Sequence, residues 1–277
     1  MPRRGSLRCV ALAAALWAGM AGARSADDSK YPDWQAQWRN ASGGHFNPAK
    51  PRMKQEAPLT AEYQAIYEAG VANAAAGGQG NDPMWRCIPP GMPRAMIVYE
   101  GMEIGITPKM TYVAIEVLNQ LRRIHTDGRD FPTQMNPSFA GYSIGKWVDE
   151  DGDGTYDALL VETRALKGPR VFDSTGIPLH QDNQTVVKER IYSDKADPDV
   201  LHDDITTIDH AFTRPWTVAK TYVREHNPSW TEYNCQPPPG AVFVGLDEYR
   251  LSPDGKLRPL YESQAPPDLR YFKPAQK

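Results

Sequence analysis

The chain between residues 94 and 251 is dominated by short segments in which apolar and polar residues alternate. R-A-M-I-V-Y-E, M-E-I-G-I-T, M-T-Y-V-A-I-E-V-L and Q-L-R-R-I-H-T follow one another after Pro93, and four more such segments lie between residues 156 and 224. Alternation with a period of two is typical of strands that have one buried face. Many short strands joined by polar turns predict a mainly β protein, either an antiparallel, calycin-like β-barrel or a β-sandwich.

Three segments outside this pattern complete the predicted architecture. Residues 24–58 contain Pro and Trp but few helical signals, so they are predicted to form an extended arm. Thr60 has the side chain of a helix N-cap and an Ala/Gly run ends the pattern that follows it, which predicts a helix over about residues 60–76. Asp254-Gly255 predicts the turn of a hairpin. Residues 59–277 are therefore predicted to form a single β-rich domain.

The first 23 residues have the parts of a secretory signal peptide. Three arginines precede an apolar run, and Ala21 and Ala23 form an A-x-A cleavage pattern. The run is too short to span a bilayer and no later run is longer, so no transmembrane segment is predicted in the mature chain. Residues 2–8 resemble a twin-arginine signal with Ser6 where Phe is usual, and an ordinary secretion signal is favoured. The mature protein is predicted to be periplasmic or secreted.

Charge and cysteine content narrow the expected partners and compartment. Loss of residues 1–23 removes three arginines and no acidic residue, which changes the formal net charge from −3 to about −6. No basic stripe remains that could neutralise a phosphate backbone, so nucleic acid is not expected as a partner. Cys87 and Cys235 remain after cleavage and are predicted to form one disulfide, with two separate buried thiols as the alternative.

A set of short segments between residues 83 and 235 is specific in combination, although each segment is weak alone. They are C-I-P-P-G-M-P-R, I-H-T-D-G-R, G-Y-S-I-G-K-W, L-V-E-T, G-I-P-L-H, V-K-E-R, T-R-P-W-T and E-Y-N-C. Together they resemble a widespread family of exported bacterial proteins of unknown function. The resemblance implies export and relatedness rather than a particular reaction. Two departures are clear, because residues 149–157 lengthen a turn that is short in the family and His125 stands where Tyr is more usual.

The lengthened turn carries the sharpest local metal motif. Three alternating carboxylates, Asp149, Asp151 and Asp153, are followed by Gly154, and Asp157 completes the spacing of calcium-loop ligands. The motif is incomplete, because Leu160 stands where a bidentate Glu belongs, and a solvated acidic hairpin turn is the alternative. Calcium bound there would stiffen the turn rather than catalyse. The histidines lack the spacing of a compact metal motif, so no transition-metal site is predicted.

Three further carboxylates are predicted to lie on largely apolar strand faces: Glu162, Glu189 and Asp209. In a barrel such a face would line the lumen, where a carboxylate is costly unless it is paired or hydrogen-bonded. The cations available as partners are Arg123, His125, Arg129, Arg190 and Arg214. One interpretation is a set of internal salt bridges that brace the barrel. The other interpretation is a polar pocket for a small molecule.

The pocket interpretation assigns roles to residues centred on the 122–162 region. The candidate acid–base residues are His125, Asp127, Glu162 and Glu189, since a histidine and a carboxylate can exchange protons near neutral pH. The candidate ligand-binding residues are Arg123, Arg129, Arg190, Asp209 and Trp147. The sequence thus predicts an exported β-barrel that binds an apolar or aromatic small molecule, with lyase or isomerase chemistry, if any, that requires no cofactor. The alternative is a non-enzymatic envelope module, with or without stabilising calcium.

Overall fold

The barrel is closed by nine strands that follow one another in chain order. The computed structural model describes residues 28–42, 57–98, 100–244, 247–260 and 264–268. The strands are β1 Gln37–Asn40, β2 Met102–Thr107, β3 Met110–Ile115, β4 Gln120–His125, β5 Tyr142–Val148, β6 Ala158–Arg164, β7 Val186–Ser193, β8 Val200–Ile208 and β9 Trp216–Arg224. The predicted β-barrel is thus confirmed over the predicted sandwich. The predicted signal peptide lies outside the described residues.

One seam of the barrel differs from the antiparallel prediction. Strands β4 and β5 run parallel, with Ile124 opposite Ser143, whereas all the other neighbouring strands of the barrel run antiparallel. A closed sheet of strictly alternating directions needs an even number of strands, so nine strands require at least one parallel pair. The connection over residues 126–141 is long enough to return to the other end of the barrel, and Arg129, Asp130 and Phe131 within it line a groove along the outer face of β5 and β6.

The antiparallel connections define two ends of the barrel. We call one end the pocket end, because a pocket opens there. It contains residues 82–101, the β6–β7 connection over 165–185 and the β8–β9 connection over 209–215. The arm end contains residues 29–36 and the acidic turn over 149–157. Every strand of the barrel therefore runs between the pocket end and the arm end. Different parts of the chain form these two ends.

The predicted helix lies at the pocket end. Helix α1 spans Ala61–Ala75, and the Thr60 side chain accepts a hydrogen bond from the backbone of Tyr63, as its N-cap position predicts. The Tyr63 ring lies 5.6 Å from the His180 ring on the β6–β7 connection. Among the described residues, no helix is both long enough and apolar enough to cross a membrane.

Part of the predicted arm is built into the barrel, since β1 pairs with both β2 and β9 and closes the sheet. Just before it, Trp34 is 1% exposed and packs on Trp147 with ring centroids 5.0 Å apart. The Trp34 indole also donates a hydrogen bond to the Ser193 hydroxyl at 2.7 Å. Aromatic side chains thus cover the arm end.

A small sheet follows the barrel. It contains β10 Ala241–Val244, β11 Asp247–Leu251 and β12 Leu257–Pro259. The β11–β12 hairpin turns at Asp254-Gly255 as predicted, and Gly255 takes a φ of +75°, which favours glycine. The predicted Cys87–Cys235 disulfide is also present and ties the segment after β9 to the pocket end.

Candidate functional site

A pocket of about 230 Å³ opens at the pocket end of the barrel. Its apolar wall consists of Met84, Trp85, Ile97, Val98, Leu118 and Tyr233. Trp85 is 61% exposed, which is unusual for a residue with so large an apolar side chain. The volume is below the usual range of drug-sized ligand sites, so the pocket suits a small molecule.

Charged groups also line this pocket: Asp82, Arg94, Glu100 and Asp173. Asp82 and Arg94 form a two-bonded ion pair, with one contact at 2.8 Å, and their side chains are only 14% and 6% exposed. This pair neutralises itself. Glu100 differs, because its buried Oε2 has no hydrogen-bond partner within the described ranges. The pocket is therefore acidic on balance.

Asp173 connects the pocket to the barrel lumen. Its carboxylate accepts hydrogen bonds from the backbone and hydroxyl of Thr175, at 2.9 and 2.5 Å. Burial lowers the pKa of Lys220, which lies on the inner face of β9, while the negative charge of Asp173 opposes that shift. A buried lysine near a buried carboxylate extends the polar region inward from the pocket.

The disulfide links two walls of the pocket. Cys87 follows the short 3₁₀ turn Pro83–Arg86, which carries Trp85, and has a left-handed φ of 57°. Cys235 lies two residues after Tyr233, whose carbonyl accepts a hydrogen bond from the Asn119 side chain at 3.1 Å. The bond between Cys87 and Cys235 thus fixes the spacing of the two exposed aromatic rings at the pocket rim.

Glu189, one of the candidate acid–base residues, lies inside the barrel in an ion pair. Its carboxylate accepts two hydrogen bonds from the Arg122 guanidinium, one of them at 2.8 Å, and both side chains are 0% exposed. Arg122 also donates to the hydroxyls of Thr163 and Ser143, at 3.0 and 3.4 Å. Glu189 therefore matches the first interpretation of the sequence, an internal salt bridge.

A second carboxyl group lies beside this pair. Burial and the charge of Glu189 raise the pKa of Asp203 well above its usual range, although Arg122 opposes the shift. Neither carboxyl oxygen of Asp203 accepts a hydrogen bond from any group that the structure describes. Burial likewise raises the pKa of Tyr222, whose hydroxyl donates to the Met96 carbonyl at 2.5 Å. Burial and the neighbouring charge of Glu189 thus both favour the neutral form of Asp203.

Glu162 lies on the outer face of the barrel, whereas the sequence interpretation placed it in the lumen. Its neighbours Val161 and Thr163 are buried, at 4% and 0% exposure, while Leu160 on its own face is 41% exposed. Glu162 pairs there with Arg164 at 2.5 Å and Lys188 at 3.4 Å. The strand parity was right, but the apolar character of Ala158 and Leu160 did not identify the inner face.

The other residues around His125 also lie on the outside. His125 stacks on Tyr142 with ring centroids 4.8 Å apart, and burial, followed by the charge of Arg129, lowers its pKa. Hydrogen bonds from Arg129 lower the pKa of Asp127 to about 2. Arg129 and Glu162 both line a shallow groove along the outer face of β5 and β6. The structure therefore separates His125, Asp127, Arg129 and Glu162 from Glu189 by the barrel wall.

The remaining candidate ligand-binding residues are dispersed. Arg123 is exposed on the outer face of β4. Arg190 pairs with Glu150 at 2.7 Å and lies 3.8 Å from the Tyr192 ring centre. Trp147 belongs to the aromatic cover of the arm end. These three residues do not form one site.

Asp209 lies at the pocket end and is 8% exposed, as its predicted apolar face implies. Its carboxylate accepts hydrogen bonds from the backbone of His180 and Ala211, at 2.9 and 2.8 Å, and from the Thr185 hydroxyl at 2.5 Å. Asp209 thus joins the β6–β7 connection to the β8–β9 connection.

The acidic turn is held by its own carboxylates. Asp149 accepts backbone hydrogen bonds from Gly152 and Gly154 at 2.7 and 2.9 Å, and Asp157 accepts one from Glu150 at 2.6 Å. Oxygens of Asp149, Asp151 and Asp153 come within 4.8 Å of one another. Calcium binding at this turn stays a prediction of the sequence.

The sequence interpretation missed the pocket and the partner of Glu189. Arg122 shares a face with Gln120 and Ile124, and Asp203 shares one with Leu201 and Ile205, so alternation could have placed both inside. The pocket gives no such signal. Arg94 and Glu100 come from R-A-M-I-V-Y-E, where the strand prediction was wrong because the segment contains the 3₁₀ turn Arg94–Met96, and Asp82 and Asp173 come from connections between strands. The chain matches no model of a known protein family and no curated protein. The family resemblance therefore stays a prediction.

Proposed function

We propose that the protein binds a small molecule with an apolar or aromatic body and a cationic group, in the pocket at the pocket end of the barrel. The single observation that carries this proposal is the buried, unpartnered Oε2 of Glu100 at the pocket. A buried carboxylate oxygen without a partner costs free energy, and a ligand cation would supply the missing hydrogen bond and charge.

The chemistry of the pocket walls supports an aromatic or apolar body for this ligand. Trp85 and Tyr233 are exposed at the rim, and aromatic faces attract both apolar groups and cations. Arg94 does not favour an anion, because Asp82 already satisfies its guanidinium on two sides. The ligand therefore places its ring against the apolar wall and its cation towards Glu100.

The same proposal places the protein outside the cytoplasm. Disulfides persist in oxidising compartments such as the periplasm, and the Cys87–Cys235 bond holds the pocket rim. The N-terminal segment has the sequence of a secretion signal. The pocket rim would therefore be fixed only after export, because the disulfide forms only once Cys87 and Cys235 are oxidised.

Three probes that share a benzene ring and differ in charge test the pocket: benzylamine, benzyl alcohol and benzoate. Calorimetric titration of the full mature chain should give the tightest binding for benzylamine and the weakest for benzoate. Glu100→Gln should weaken benzylamine binding about tenfold or more, because it replaces a charge-assisted hydrogen bond with a neutral one. Glu103→Gln is the matched control, since Glu103 is exposed on the outer face of β2.

A second variant separates loss of binding from loss of folding. Trp85→Ala removes a ring that is already exposed, so it should weaken all three probes while leaving the thermal midpoint nearly unchanged. The proposal is wrong if none of the probes binds, or if Glu100→Gln and Glu103→Gln bind benzylamine equally well. The first outcome would favour the alternative prediction, a non-enzymatic envelope module.

A further inference from the structure

Three side chains with metal-ligating atoms meet at the pocket end, outside the pocket itself. His180 and Asp182 lie on the β6–β7 connection, and His210 lies on the β8–β9 connection. One ligand atom from each comes within 4.8 Å of the others. The chain brings these residues together only through the barrel, because 27 residues separate Asp182 from His210.

A single carboxylate oxygen lies between the two imidazoles. Asp182 Oδ2 is 3.2 Å from His180 Nδ1 and 2.5 Å from His210 Nδ1. Metal–ligand bonds of about 2.0–2.2 Å place neighbouring tetrahedral ligand atoms about 3.3 Å apart. Small movements of the exposed His210 ring would therefore bring all three atoms to coordinating distance.

The Nδ1 atom of His180 lies close to two atoms of Asp182. The backbone N–H of Asp182 is directed at this nitrogen at 3.2 Å, and the carboxylate Oδ2 lies at the same distance. Because an imidazole nitrogen has one lone pair in the ring plane, a bound metal ion would replace the backbone N–H as the partner of Nδ1.

Buried groups beneath the cluster hold its two loops in place. The Asp209 carboxylate bonds to the backbone of His180 and of Ala211, the residue after His210. Arg170 donates to the His180 carbonyl at 3.1 Å and to the Thr185 hydroxyl at 2.8 Å. Supporting hydrogen bonds of this kind fix the orientation of ligands at metal sites.

We propose that His180, Asp182 and His210 bind a divalent transition-metal ion and leave its other coordination positions open to solvent. Two imidazoles and one carboxylate suit Zn²⁺ or Fe²⁺ rather than Ca²⁺, which prefers oxygen ligands. The His210 side chain is 68% exposed, so the open side of the ion faces water. This site does not depend on ligand binding in the neighbouring pocket.

The test uses the full mature chain after treatment with a chelator, titrated with Zn²⁺ by calorimetry and with Co²⁺ by visible absorption. The wild type should bind one ion per chain, and His210→Ala should weaken binding at least about tenfold, as loss of a supporting group already does. His226→Ala is the matched control. His226 is 69% exposed and pairs with Asp199 at 2.8 Å, but no third ligand accompanies it among the described residues.

Two further measurements test whether the ion binds at this cluster and whether the variants still fold. Asp151→Ala should leave Zn²⁺ affinity unchanged, which would separate this cluster from the acidic turn. An absence of binding in the wild type would overturn the proposal, as would equal affinities for wild type and His210→Ala. Thermal unfolding of the metal-free variants should match that of the metal-free wild type, because His210 is exposed.

Discussion

Two glutamates on neighbouring strands show how the exposure of a charged side chain differs between the inner and outer faces of this barrel. Glu189 on β7 and Glu162 on β6 are near neighbours in the sheet. In the register of these two strands, Glu162 lies opposite Lys188 and Val161 lies opposite Glu189. Glu189 and its partner Arg122 are 0% exposed. The Glu162 side chain is 25% exposed, and its partners Arg164 and Lys188 are 48% and 55% exposed.

Ion pairing has different consequences for stability on the two faces. Outside, water already solvates each charge, so pairing adds little to stability. Inside, both charges have lost their water, and only the pair with its surrounding hydroxyls compensates for that loss. The effect of the inner pair on the free energy of unfolding should therefore be seen chiefly when one partner is removed and the other stays buried.

Removal of one inner partner should have the largest effect. Arg122→Met leaves the Glu189 carboxylate buried without its cation, and we expect a loss of about 3–5 kcal/mol in the free energy of unfolding. Replacing both residues, Arg122→Met with Glu189→Met, removes both charges and should cost less than the single change. Urea unfolding of the wild type, the two single variants and the double variant would measure these differences.

Double-mutant analysis gives the outcome that would contradict this view of the lumen. If the two single losses simply add in the double variant, Arg122 and Glu189 are not energetically coupled. A loss below about 1 kcal/mol in Arg122→Met would also show that water reaches the lumen.

Asp203→Asn should have a smaller effect of the opposite sign. Burial raises the pKa of Asp203 above its ordinary value of 3.8, so the folded state binds a proton that the unfolded state has released. Stability from this group is complete below pH 3.8 and is lost as the pH rises towards the raised pKa. The amide cannot ionise, so we expect the variant to be more stable than wild type by about 1–3 kcal/mol at pH 8.

The pH dependence is the check on this prediction. The stability difference between Asp203→Asn and wild type, measured by urea unfolding, should shrink steadily between pH 8 and pH 4. A difference that stays constant over this range would mean that Asp203 ionises with an ordinary pKa in the folded protein.

Strand alternation predicted much of this fold but only part of the candidate site. Alternation identified the β class, and the cap at Thr60 identified the helix, because both signals are local in the chain. Alternation also grouped Glu189 with Val187 and Ile191 on the inner face correctly. It misplaced Glu162, because an outer strand face can also carry apolar residues, and Leu160 on that face is 41% exposed.

The pocket was not predictable for a different reason. Glu100 and Asp173 meet only because the barrel brings the segment before β2 next to the β6–β7 connection. No period in the sequence relates such residues, so their proximity depends on strand order. The parallel seam between β4 and β5 is another feature of strand order, and it too has no local signal.

Glu162→Gln should have the smallest effect of the changes considered for the two faces. The partly exposed pairs with Arg164 and Lys188 are worth about 0.2–1 kcal/mol, and 1 M salt should reduce this difference because it shortens the Debye length to about 3 Å. The loss in Arg122→Met should persist in the same salt, because ions cannot enter the lumen. Unfolding curves at low and high salt for both variants measure the contrast directly. If salt diminished both losses equally, the barrel wall would not separate the two glutamates electrostatically, and the buried pair would have to be regarded as solvated.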